Sequence, residues 1–73
     1  MFARVIVDIS NANVNRLFTY AVPEEISLCE GQRVIVPFGR GNRPIEGFVL
    51  ELVDEPGTER ELKSIVRTIE PYS

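Results

Sequence analysis

Two short stretches hold the residue types that could do chemistry. In "VIVPFGRGNRP", residues 34–44, three β-branched residues run into a proline, two glycines and two arginines. The β-branched run favours an extended chain. Pro37 removes a backbone donor, and Gly39 and Gly41 permit positive φ. Arg40 and Arg43 put guanidinium groups in the same turn. Such a turn serves as a hairpin end, or it offers bare backbone and arginine to an anion. In "RLFTYAVP", residues 16–23, Phe18 and Tyr20 share a strand face. Core packing accounts for Phe18 most simply. Tyr20 is the more open of the two, because its hydroxyl needs water or a partner. Phe38, beside Gly39, is core or rim.

Other chemistries find no support. The chain has no histidine and one cysteine, so a Ser-His-Asp triad is excluded and a zinc or redox site is argued against. Cys29 has no partner for an internal disulfide and reads as an ordinary thiol. Glu24–Glu25, Asp54–Glu55 and Glu59–Glu61 lie in turn-like polar contexts and read as solvated loop charge. "FGRGN" lacks the Gly-Lys-Ser/Thr ending of a phosphate-binding loop. No metal or cofactor is expected, and this chain alone is not expected to be an enzyme.

The elements that must position these residues follow from period and punctuation. At 73 residues the chain allows one domain, spanning 1–73. "ARVIVDI" alternates, with Val5, Val7 and Ile9 to one side and Arg4 and Asp8 to the other. "SNANVN" is a turn or loop. "RLFTYAVP", "QRVIVPF" and "IEGFVLELVD" are strands. In the last of these the alternation breaks over Gly47, Phe48, Val49 and Leu50, which suggests cover on both faces, with Gly47 at a bulge or bend. "EPGTER" is a turn or link. "ELKSIVRTIE" is ambiguous: Leu62, Ile65, Val66 and Ile69 have helical spacing, yet its β-branched residues favour a strand. Pro71 ends it in either case. About five short strands predict an all-β fold, a small antiparallel barrel or sandwich.

Charge is divided unevenly. The net charge is −3, and residues 1–43 carry five arginines against four carboxylates. Residues 44–73 carry three cations against seven carboxylates. Such a chain does not coat a duplex by charge; any contact with nucleic acid must be local. No apolar run reaches the length of a membrane span, and the first residues lack the basic, apolar and small-residue pattern of a signal peptide. A cytoplasmic location is the expectation.

Taken in order, the motifs resemble a known family. An F-x-Y-x-x-P at Phe18–Pro23 is followed by G-x-R-V-x-V-P-F-G at Gly31–Gly39, a basic loop, a Gly-containing apolar strand and "ELKSIV". This string, from about Ala3 to Pro71, resembles the N-terminal domain of the PriA helicases, which restart stalled bacterial replication forks. The resemblance implies an OB-like barrel, the N-terminal fragment of a larger ATP-dependent 3′–5′ helicase whose ATPase lobes are absent here. It implies a sequence-independent pocket for the 3′ end of the nascent leading strand. By position, the DNA-binding residues would be Phe18, Thr19, Tyr20, Gly39, Arg40 and Lys63. The implied partners are DNA 3′ ends, the other domains of the same helicase, and primosome proteins. Family members often carry a carboxylate between the two aromatics, where this chain has Thr19, a neutral hydroxyl. The resemblance also makes "ELKSIVRTI" a strand. The competing class is a small barrel that binds a peptide or packs on a helicase core, which the acidic second half would suit.

Overall fold

A computed structural model describes residues 1–9 and 16–70. The Ser/Asn-rich stretch expected to form a loop, and Pro71, lie outside the described residues. The described chain is all-strand, with β1 (Phe2–Val7), β2 (Leu17–Ala21), β3 (Arg33–Phe38), β4 (Arg43–Val53) and β5 (Arg67–Thr68). All pair antiparallel in one sheet of order β2-β1-β4-β3-β5.

The alternation in β1 decides which face is covered. Ala3, Val5 and Val7 are fully buried, and Val34, Val36 and Val49 join them from β3 and β4. Tyr20 and Ile65 complete this core. The opposite face carries Arg4, paired in register with Thr19 and Glu51, and Ile6, paired with Leu17 and Phe48. The Arg4 guanidinium donates to Glu51 at 2.7 Å, and Arg33 pairs with Glu46.

The broken alternation of β4 has a different cause from double-sided cover. Val5 opposes Val49 while Arg4 opposes Glu51, so Leu50 is an extra residue, the mark of a β-bulge. Leu50 is exposed, as is Phe48, which lies opposite Ile6 on the outer face. Gly47 is neither bulge nor bend. It lies opposite Val7, and a Cβ there would meet Val5 Cγ1 at 2.5 Å. Its missing side chain makes room for the Val5 methyl.

The ambiguous C-terminal segment forms no helix. It has a lone parallel bridge, Ser64 to Ala21, and then the two residues of β5 against β3. Ala21 N–H donates to Lys63 O at 2.9 Å, and Ile65 N–H donates to Ala21 O at 3.0 Å. Val66 N–H then donates to Ile35 O at 2.8 Å, and Ile69 N–H to Arg33 O at 2.9 Å. One short segment thus touches both edges of the sheet, which must curl for it to do so. No ladder joins β5 to β2, so the expected five antiparallel strands form a curled open sheet and not a barrel closed by strand pairing.

Candidate nucleic-acid interface

The run Pro37-Phe38-Gly39 ends β3, and each of its residues is held by a partner distant in sequence. The Tyr20 hydroxyl donates to the Pro37 carbonyl at 2.9 Å. The Phe18 ring meets the Phe38 ring edge-on, with centroids 5.2 Å apart and planes at 75°, within the favoured range for an aromatic pair. Lys63 Nζ donates to the Gly39 carbonyl at 2.6 Å. Strand period explains the first two contacts, because Phe18 and Tyr20 project to the same side of β2. The third depends on the C-terminal segment docking at Ala21.

Gly39 opens a four-residue turn between β3 and β4. Its carbonyl also accepts from Asn42 N–H at 3.2 Å. Gly39 has φ +75° and Asn42 has φ +51°, while Gly41 is not among the positive-φ residues, although the sequence marks it as permissive. A Cβ at Gly39 would meet nothing within 4 Å. Conformation, not crowding, therefore calls for glycine here, and its backbone stands bare to an approaching group.

A groove of about 840 Å³ opens beside this run. Phe18, Thr19, Tyr20, Gly39 and Lys63 all line it, so five of the six residues named from the sequence come together. Arg40 is exposed in the turn and is not part of the lining. The aromatics exchange their expected roles. Tyr20 is the buried one, at 4% exposure, and Phe18 is half-buried. Burial pushes the Tyr20 phenol above its ordinary 10.0, since a charged phenolate is poorly solvated there. The more accessible aromatic wall is Phe18 with Phe38.

Thr19 sits differently from its neighbours. Alternation turns its side chain to the opposite face, beside Arg4. Its backbone has another aspect. Ala21 directs its N–H and C=O away from β1, toward Lys63 and Ile65. Two residues earlier, Thr19 repeats that direction and presents its N–H and C=O at the outer edge of β2. The groove can be lined by both faces because it runs around this edge.

Sequence reasoning missed the other wall. Residues 55–60, read as a turn or link, supply Glu55, Pro56, Gly57, Thr58 and Arg60 to the lining, and Glu61 and Leu62 join them from the start of the segment that follows. Pro56 and Gly57 signal the turn, with Gly57 at φ +74°, but nothing in the sequence says which strand it covers. Arg4 also reaches the groove, with its charge engaged by Glu51. Cys29 is exposed and outside this groove. Among the described residues no group of side chains could hold a metal, and no helix is long and apolar enough to cross a membrane.

Comparison with known proteins agrees with the motif order. The chain is 50% identical over 50 residues to the replication restart protein PriA of Bacillus subtilis strain 168. That match covers 66% of this chain and 6% of the longer protein. No solved structure gives a significant match. The profile of the PriA 3′ DNA-binding domain matches residues 4–73, nearly the whole length, and the chain belongs to that family.

Proposed function

We propose that this domain binds the 3′ end of a DNA strand in the groove beside Gly39, without regard to base, as the DNA-binding part of a replication-restart helicase. The observation that carries this reading is the convergence of Phe18, Thr19, Tyr20, Gly39 and Lys63 on one groove, with Pro37-Phe38-Gly39 clamped among them. The parts suit a strand end. The Phe18–Phe38 wall takes the face of a base, and every base has such a face. Lys63 and the bare Gly39 backbone take the last phosphate. The Thr19 hydroxyl and edge backbone take the 3′-hydroxyl. Tyr20 positions Pro37 and so the wall. Arg40, exposed in the turn outside the lining, meets the phosphate beyond the turn.

Stacking contributes about 1–3 kcal/mol per base, which by itself is weak binding. Weak binding suffices where other domains hold the fork, because tethering raises the effective concentration. The remainder of the helicase, other primosome proteins and a cytoplasmic setting belong to the same proposal. Catalysis would reside outside this domain.

The experiment is a titration of labelled single strands that differ only in a 3′-hydroxyl or a 3′-phosphate. An end-reader prefers the hydroxyl end and binds several terminal bases alike. Equal binding to both ends, or to a strand whose end is blocked by a hairpin, overturns the reading. A protein-interaction module is the second reading, favoured by exposed Ile6 and Phe48, which pair across β1 and β4 on the outer face. Such a module ignores the chemistry of the strand end altogether.

A further inference from the structure

The lining of the groove contains three cations, and their states differ. Arg4 is held by Glu51 at 2.7 Å, which satisfies much of its charge. Lys63 is held at one wall by the Gly39 carbonyl. Arg60 also lines the groove and is exposed. Its backbone N–H donates to Thr58 Oγ1 at 3.1 Å. Among the described residues its guanidinium makes no ion pair. Arg40, by contrast, lies outside the lining although the motif order points to it.

We infer that Arg60 is a second phosphate contact, binding the phosphodiester next to the one held by Lys63 and Gly39. This inference rests on the proposed strand-end reading of the same groove. The two residues are three apart, so their Cα atoms are separated by at most about 10 Å. Both side chains are long, and together they can reach neighbouring phosphates of one extended strand. A guanidinium fork suits a phosphate better than an ammonium does, because it offers two parallel donors. The loop that carries Arg60 has Gly57 at φ +74° and lines the groove from Glu55 to Leu62. Glu55 and Glu61 line the same wall. The attraction is therefore local to two points and not a broad positive field. That arrangement admits one strand and opposes a duplex.

The test uses the 73-residue chain and a 3′-hydroxyl single strand, with binding measured across a salt series and thermal melts run alongside. Arg60→Gln is expected to weaken binding about three- to tenfold at low salt and to reduce the salt slope by about 0.7. Arg60→Lys should recover most of that loss. Arg67→Gln removes an equal charge from exposed β5, outside the groove, and should bind like the parent. If Arg60→Gln binds like the parent while Lys63→Ala is weakened, the groove reading stands and the Arg60 contact is refuted. If Arg60→Gln and Lys63→Ala both bind like the parent, the groove reading itself fails. If Arg67→Gln loses as much as Arg60→Gln, the effect is one of overall charge and the assignment is overturned.

Discussion

The Tyr20 hydroxyl donates to the Pro37 carbonyl from a buried position, and its pKa is raised by that burial. Below its ordinary value of 10.0, folded and unfolded chains both carry the proton. Above it, the unfolded chain releases the proton first, so stability falls as pH rises until the folded phenol ionises as well. We expect Tyr20→Phe to lower stability at neutral pH by about 0.5–1.5 kcal/mol through the lost hydrogen bond. The same variant should lose less stability between neutral pH and the range above 10 than the parent does. Equal alkaline losses in paired melts would count against the buried-phenol account. Thr19 offers a second test at this scale. Its register partner is Arg4, a cation paired with Glu51, so a carboxylate introduced at 19 would lie beside an opposite charge, which favours its charged form. A hydrogen bond to a charged group is worth about 1.5–3 kcal/mol, against about 0.5–1.5 for a neutral one. Thr19→Asp should therefore sharpen the preference for a 3′-hydroxyl over a 3′-phosphate about fivefold or more, partly by repelling the phosphate. An unchanged ratio in the oligonucleotide titration would remove Thr19 from the site.

Among the elements, β4 is the longest strand and the one that neighbours both β1 and β3. Its register is held by two devices, the extra Leu50 and the absent side chain of Gly47. A methyl at Gly47 would press on Val5 Cγ1 at 2.5 Å and on the Ile6 carbonyl at 3.3 Å, with Val5 fully buried. Overpacking of this kind costs about 1–3 kcal/mol. Gly47→Ala is thus expected to lower the denaturation midpoint clearly, with Gly41→Ala, at an open position, much nearer to the parent. Equal midpoints for the two would show that Val5 moves aside at little cost. The C-terminal segment matters for a different reason. It has little regular structure, yet it carries Lys63 to Gly39 and joins the two sheet edges. The proposed phosphate contact of Lys63 and the curl of the sheet depend on the same few backbone bonds.

Over the whole molecule, the net charge of −3 opposes any general attraction to DNA. Binding through one to three phosphates, at Lys63, Arg60 and Arg40, should show a salt slope of only about −0.7 to −2.1, since a single strand contributes about 0.7 per phosphate neutralised. A much steeper slope, measured on a 3′-hydroxyl strand, would mean that a longer stretch of backbone is engaged than this groove can hold. A domain of this size buries only about 60% of its unfolded surface and is marginal in stability. That is a reason for the site to share its contacts with the fold: Tyr20 belongs to both the core and the groove.

The strands and the buried face of β1 were legible in the sequence because period two is a local property, visible in Val5 and Val7 without knowledge of any partner. The turn at Gly39 was legible for the same reason, since proline and glycine act on their own backbone. The motif order also named Phe18, Thr19, Tyr20, Gly39 and Lys63. Tertiary structure alone decided that Tyr20 is the buried aromatic, that Leu50 is the extra residue of a bulge, and that Arg60 rather than Arg40 faces the groove. Each of these depends on pairing or docking between segments far apart in the chain. Residues 61–70 are the sharpest case. Their spacing fits a helix and their branching fits a strand, and the choice was made by free hydrogen-bonding groups at Ala21 and on β3, which only the assembled sheet presents.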